Sequence, residues 1–157
     1  MPVPTFIPIV PYADRAFAAQ YFAQRMNTDA WDGADDATKD KALAMATQHM
    51  DGLSYAGYKN EYTSQREFPR NGMAVIPYEV ACANCEEALA ILQGKVLEVL
   101  EDQNAVTSEQ IGDVSTQYQG PSPLELIGSH GGFLSPVSFR LMAAWMRDDD
   151  SFFIDRV

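Results

Sequence analysis

Apolar side chains recur at helical spacing in four separate stretches of the chain. Residues 13–26 carry a stripe of aromatic residues and alanines, and residues 37–53 and 137–146 repeat apolar side chains at three- and four-residue steps. The clearest period follows position 77, at Cys82, Cys85, Leu89, Leu92, Val96 and Val99. Steps of three and four residues are typical of the seam of a packed helix. The pattern therefore predicts a bundle of three to four helices.

Residues that favour helix starts stand before three of these stretches. Asp35 or Asp36 can cap the second helix with a carboxylate. Pro77 stands where proline is favoured, in the first turn of the third helix. Ser135 followed by Pro136 provides a hydroxyl cap and then a proline, which predicts the start of the fourth helix.

Two segments lack helical spacing. Residues 54–76 show no lasting period, and a loop of this length inside a small domain usually has a function or contacts of its own. Apolar and polar residues alternate over 114–118, which predicts a short strand paired with a neighbour near Val106 or Ile111. The predicted fold class is mainly α: a helical bundle of three to four helices with a long middle loop and a small β element near residues 106–118.

The N-terminal segment differs from the rest of the chain. Residues 1–11 contain four prolines with apolar residues between them, which predicts an extended arm. This arm packs either on its own domain or on a neighbouring subunit, and the sequence leaves both open. We expect residues 12–147 to form a single helical domain. No signal sequence and no apolar run of about 20 residues that could span a bilayer is visible.

Residues 148–157 form the third part, a C-terminal tail that we interpret as a docking peptide. Three consecutive aspartates separate it from the last helix and favour a solvated, extended chain. Phe152, Phe153 and Ile154 then place large apolar side chains side by side, which favours burial in a groove of a partner. The alternative is that the tail folds back on its own bundle.

The charge of the chain limits its partners. The formal net charge is −11, from 22 acidic and 11 basic residues. Proteins that grip phosphates use a basic face, because release of counterions drives that binding. The closest basic groups here, Lys39 with Lys41 and Lys59 with Arg66 and Arg70, are interleaved with acids. The composition therefore argues against sequence-independent binding of DNA.

Candidate chemical groups have simpler explanations. Cys82 and Cys85 have the spacing of half a zinc site, but a structural zinc site needs four ligands and neither a second such pair nor paired histidines are present. Both cysteines occupy seam positions, so we interpret them as core side chains in a protein made in a reducing cytoplasm. We expect His49 to be partly covered and His130 to lie in a solvated loop. We therefore expect no metal, no cofactor and no catalytic activity.

The turn Phe68, Pro69 and Arg70 is the one local motif with a functional interpretation. In one interpretation it is a loop anchor, with Phe68 filling a gap in the core and Pro69 stiffening the turn. In the other the loop lies at an interface with another subunit or a partner protein, where Phe68 and Arg70 are residue types that anchor partners.

The order of residues between positions 31 and 83 resembles a known family. With intervening residues omitted it reads Trp31, Lys39, Ala42, Leu43, Ala46, Thr47, Met50, Asp51, Gly57, Tyr58, Lys59, Gln65, Phe68, Pro69, Arg70, Ile76, Pro77, Val80, Ala83. This spacing resembles the head–tail connector (adaptor) proteins of tailed bacteriophages, a family often labelled DnaT-like. The resemblance extends back to Tyr21 and forward to Tyr118.

The resemblance implies a structural protein of the virion, located in the neck, that is made in the host cytoplasm. Its copies would form a homo-oligomeric ring, usually a dodecamer, beneath the portal protein, extend the DNA channel and meet the tail or stopper proteins. Genomic DNA would pass through the lumen without specific binding, and an acidic wall suits that passage because it repels phosphate. Isolated copies would be monomeric and assemble on the portal.

The family label points to an alternative function. A single-stranded DNA-binding replication protein needs aromatic side chains on which bases stack, within a basic groove. Tyr55, Tyr58 and Tyr62 could supply the aromatic rings, whereas the surrounding charge has the wrong sign.

Overall fold

A computed structural model describes residues 1–95, 110–111, 114–115, 127 and 130–147 of the protein. The helices in these residues are α1 Arg15–Phe22, α2 Asp29–Asp32, α3 Asp36–Asp51, α4 Tyr78–Leu92 and α5 Pro136–Met142, and α5 continues as a 3₁₀ turn, Ala143–Trp145. Two short strands, β1 Gln110–Ile111 and β2 Val114–Ser115, pair antiparallel. The mainly α fold class is confirmed, and the strand pair lies inside the segment 106–118 where a β element was predicted.

Side-chain caps set the starts of the helices. The Asp14 and Asp35 carboxylates accept hydrogen bonds from the backbone N–H groups of Phe17 and Thr38 and so cap α1 and α3. The Ser135 hydroxyl does the same at the start of α5. Because these caps involve residues three or fewer positions apart, the sequence could indicate them.

Two helices are shorter than predicted. α1 ends at Phe22 rather than near Met26. α4 ends at Leu92, although the apolar period continues to Val96 and Val99, which lie outside the described residues. Gly94 has a φ of +83° and the Lys95 N–H donates to the Ala90 carbonyl at 3.0 Å. A residue with positive φ followed by this bond is a Schellman end, which a glycine favours.

α4 is the central helix of the bundle. Every position from Val80 to Ala90 is buried, so the helix is covered on all sides and not only along the predicted seam. It packs mainly against α3 and α5, while α1 and α2 cover it further along. Trp31, on the unpredicted helix α2, stacks against Phe22 with ring centroids 4.8 Å apart. In the described residues no helix has the length and apolarity needed to cross a membrane.

Candidate functional site

The N-terminal arm is the most exposed apolar segment that the structure describes. All residues from 1 to 10 are exposed. Val3 is 88% exposed, Phe6 83%, Ile7 75% and Val10 70%. Leaving such side chains in water is unfavourable by about 1.5–3 kcal/mol each relative to full burial. These four side chains are exposed, although residues 7–9 lie beside Gln48 and Asp51 of the same domain, so both interpretations offered for the arm stay predictions.

The arm joins the domain at Tyr12 and Ala13, both of which are buried. The Tyr12 N–H donates to the Thr47 hydroxyl at 3.1 Å, and the Ala13 N–H donates to the side-chain carbonyl of Asn84 at 3.1 Å. Asn84 also donates to Thr47 at 2.9 Å, so α3, α4 and the root of the arm share one buried hydrogen-bond network. This network fixes the arm at its root.

The Tyr12 side chain connects the same root to the middle loop. Its hydroxyl donates to Asp51 and accepts the backbone N–H groups of Glu67 and Phe68, each at 3.2 Å. Arg66 pairs with Asp51 at 3.3 Å and lies over the Tyr12 ring, 4.9 Å from its centroid. Burial, together with the Asp51 carboxylate, raises the pKa of Tyr12 well above its ordinary value. The arm and the loop are therefore held by one cluster.

Within that loop, Phe68 fills the core. It is 3% exposed and makes edge-to-face contacts with the rings of Tyr12, Tyr55 and Trp145, at centroid distances of 5.9, 4.9 and 5.7 Å. Such arrangements are favourable beyond the burial of area alone. Phe68 thereby connects the arm root, the loop and the C-terminal 3₁₀ turn.

Arg70 is buried beneath the loop and holds it together. Its guanidinium donates to the backbone carbonyls of Tyr55 at 3.3 Å, Ala56 at 3.2 Å, Gly57 at 3.1 Å and Glu67 at 3.4 Å. It also forms an ion pair with the Glu67 carboxylate. A planar group with five N–H donors suits this set of acceptors.

The burial of this turn separates the two interpretations of it. Phe68 and Arg70 are each 3% exposed and Pro69 is half-buried, which agrees with the loop-anchor interpretation. Neither Phe68 nor Arg70 presents its side chain to a partner in this conformation. An interface role for the rest of the loop stays a prediction. Phe152, Phe153 and Ile154 lie outside the described residues, as does the whole tail from position 148.

Two adjacent glutamates are buried in the middle of α4. Glu86 accepts hydrogen bonds from Arg25 at 2.6 and 3.1 Å and from the Tyr21 hydroxyl at 2.7 Å. Burial and the Glu86 carboxylate raise the pKa of Tyr21. Because a buried carboxylate needs such partners, Glu86 fixes the end of α1 against α4.

Glu87 performs the same task for the C-terminal part. Its carboxylate accepts the backbone N–H groups of Leu134 at 3.1 Å and Ser135 at 2.9 Å, and His49 lies 3.7 Å away. Burial raises the pKa of Glu87, an effect that the two N–H donors and His49 oppose. Neither glutamate was predicted as a buried residue, although two acids within the apolar pattern of this helix were a visible signal.

The remaining candidate residues have structural positions. Cys82 and Cys85 are buried, which confirms that they are core side chains, and burial raises the pKa of both thiols. His49 is partly covered as predicted and bonds the Gly132 carbonyl at 2.8 Å. His130 packs near the Phe139 ring rather than standing in solvent. Within the described ranges no group of three or more potential ligands could hold a metal.

Ion pairs involve many of the basic side chains. The residues paired with carboxylates are Arg15, Arg25, Lys59, Arg66 and Arg70. Tyr55 is 5% exposed and bonds the Met50 carbonyl, so it is not available for stacking as suggested. Tyr58 and Tyr62 are 63% and 94% exposed. The loop therefore exposes two aromatic rings, those of Tyr58 and Tyr62, next to basic side chains that are paired with carboxylates.

The sequence of this mainly α bundle also matches a known protein family. A family model described as "Putative DnaT-like ssDNA binding protein" matches residues 11–132, which is more than half of the chain. The protein belongs to that family. No curated protein matches the chain significantly. No solved structure matches it significantly.

Proposed function

We propose that this protein is a head–tail connector subunit of a tailed bacteriophage, which assembles as a ring beneath the portal in the virion neck. The observation that supports this most is the exposed apolar arm on an acidic domain. Exposed apolar side chains such as Val3, Phe6, Ile7 and Val10 are typical of a surface that binds a partner. A subunit of an assembly buries such an arm on its neighbours or on the portal.

Charge supports the same proposal. The net charge is −11, and ion pairs with carboxylates take up several of the arginines and lysines. A channel wall of this charge repels the phosphates of a passing genome, whereas a basic wall would bind them by counterion release. Portal and tail or stopper proteins are the partners in this proposal, and the DNA in the lumen is not bound.

The experiment adds purified protein to portal-bearing heads that lack tails and measures attachment by sedimentation and electron microscopy. We expect a ring of density below the portal and attachment of the full chain. Deleting residues 1–10 should weaken attachment while circular dichroism and the melting temperature stay unchanged, because the bonds of Tyr12 and Ala13 remain. Deleting residues 151–157 tests the docking tail in the same assay.

A matched control keeps the arm at full length. Val3→Ser with Phe6→Ser removes apolar surface, whereas Thr5→Ser leaves it in place. Attachment that is equally strong with all three chains contradicts the role of the arm in it, and no attachment of the full chain contradicts the connector proposal.

Single-stranded DNA binding is the second candidate function, and the description of the family favours it directly. The exposed rings of Tyr58 and Tyr62 are the structural feature that fits, since bases stack on such rings at about 1–3 kcal/mol each. A gel shift with a labelled oligonucleotide across a salt series tests it. Binding that falls steeply with salt and is lost in Tyr58→Ala with Tyr62→Ala supports this function. Absence of binding at low salt contradicts it.

A further inference from the structure

A groove lies between α1 and the start of α4, next to the contacts of Glu86 with Tyr21 and Arg25. Its volume is about 310 Å³ and its lining residues are Phe17, Gln20, Tyr21, Gln24, Arg25 and Tyr78. Tyr78 is 67% exposed and meets Phe17 edge to face at 5.7 Å, so the two rings form a ridge that bridges the helices. Gln20 and Gln24 are exposed beside this ridge.

This chemistry suits a proline-rich extended peptide. Aromatic-lined grooves recognise such peptides, because the polyproline II conformation is already formed and costs little entropy on binding. Proline rings and apolar side chains lie on the aromatic ridge, and side-chain amides can hydrogen-bond the exposed backbone carbonyls of the peptide. Arg25 and the Tyr21 hydroxyl are engaged with Glu86 and serve as a fixed wall.

A peptide of this kind is present in the same chain. Residues 1–11 contain prolines at positions 2, 4, 8 and 11 and no charged side chain. Their apolar side chains are exposed from Val3 onward. At about 3.1 Å per residue, ten residues of this conformation reach about 30 Å, which is enough to cross to a neighbouring molecule.

We propose that the N-terminal arm of one copy docks in the α1–α4 groove of a second copy. This docking would be one means of the self-association that the proposed function requires. It rests on the proposed function only in assuming that copies of the chain associate. Within one copy, residues 7–9 lie beside Gln48, Asp51 and residues 63–66, and none of them lines the groove. Because copies with a net charge of −11 repel each other, an uncharged segment is the part that can approach a neighbour at least electrostatic cost.

Disulfide trapping between full-length chains tests this docking. One chain carries Thr5→Cys and the other Gln24→Cys, and the two are mixed under mild oxidation at high protein concentration. Docking raises the local concentration of the two thiols, so we expect the mixed dimer to form at least about tenfold faster than with Ala19→Cys as the partner. Ala19 is exposed on α1, five positions before Gln24, but does not line the groove. Tyr78→Ala in the Gln24→Cys chain should slow trapping to the control rate, and Tyr62→Ala should leave it unchanged.

Three results would overturn the proposal. One is equal trapping at Gln24 and Ala19. Another is rapid closure of a single chain carrying both Thr5→Cys and Gln24→Cys at high dilution, which places the arm in its own groove. The third is a Tyr78→Ala variant that loses salt-dependent oligonucleotide binding but traps normally, which assigns the groove to nucleic acid. In chains that keep Tyr78 the native thiols do not interfere, because Cys82 and Cys85 are 2% and 0% exposed.

The outcomes for the two proposals are separable. A chain that traps the arm but does not attach to portal-bearing heads contradicts the connector function and leaves arm exchange in place. A chain that attaches to the heads but does not trap the arm contradicts arm exchange and leaves the connector function in place.

Discussion

Replacing Arg70 by lysine tests how the middle loop is held. The guanidinium donates to four backbone carbonyls and to the Glu67 carboxylate, and it is 3% exposed. A lysine ammonium is a compact group with three donors and cannot reach acceptors spread over Tyr55, Ala56, Gly57 and Glu67. We therefore expect at least two of these carbonyls to lose their donor in Arg70→Lys.

The magnitude follows from how far these hydrogen bonds are buried: the bond to the Tyr55 carbonyl is buried, and those to Ala56, Gly57 and Glu67 are partly buried. A buried polar group left without its partner lowers the free energy of unfolding by about 1–3 kcal/mol. Two such carbonyls, each partly hydrated in the variant, therefore lower it by about 2–3 kcal/mol. No large discount for solvent applies, because the Arg70 and Glu67 side chains are 4% and 18% exposed. For a domain of this size the loss corresponds to a fall in melting temperature of about 4–12 °C.

Urea denaturation followed by circular dichroism measures the loss, and limited proteolysis shows whether residues 54–76 become cleavable first. Arg15→Lys is the matched control, since Arg15 pairs with Asp36 and Asp40 but is 41% exposed. We expect little change in stability for that control, as for other surface pairs. If Arg70→Lys is as stable as Arg15→Lys and its loop is no more cleavable, the role assigned to Arg70 is wrong.

Two further predictions concern α4. Burial raises the pKa of Glu87, so the free energy of unfolding should fall as pH rises from the ordinary glutamate pKa through the raised one, and Glu87→Gln should remove this dependence. Urea denaturation of both chains at about pH 5 and about pH 8 measures it, with the exposed Glu79→Gln as control, and a stability difference independent of pH contradicts it. Replacing Cys82 and Cys85 together by alanine should cost about 1–3 kcal/mol through cavity formation. Elemental analysis should give the same metal content for both chains, and stoichiometric zinc in the native chain alone would contradict the core assignment.

Local signals made much of the helix pattern predictable. The carboxylate of Asp35 and the hydroxyl of Ser135 bond N–H groups at most three residues away, so the starts of α3 and α5 could be inferred from short stretches. The end of α4 was missed because the apolar period was followed past Gly94. That glycine takes a positive φ and closes the helix, so a local backbone preference outweighs the hydrophobic pattern there.

The polar core could not be inferred in the same way. Arg25 and Glu86 are 61 positions apart, and Ser135 and Glu87 are 48 apart. Residue type alone places a glutamate on the surface, and only the fold brings the donors that make its burial tolerable. Arg70 was similarly read as a possible partner contact, because the sequence does not show that four carbonyls converge on it. The exposure of the arm also depends on the fold, since proline spacing predicts extension but not what the arm contacts.

The polar groups of α4 hold three segments of the domain against the central helix, whereas the arm stays exposed. Asn84 holds the root of the arm, Glu86 holds the end of α1 and Glu87 holds the approach to α5. Each bond fixes a segment where it meets the central helix, and none extends to residues 1–10. The domain can therefore keep its shape whether or not the arm is bound. Ordering a free arm costs about 1–2 kcal/mol per residue, so a partner must supply enough apolar contact to exceed that cost. In the proposed arm exchange, a groove on one neighbouring copy would supply part of that contact, and the proposed ring would supply it to every copy.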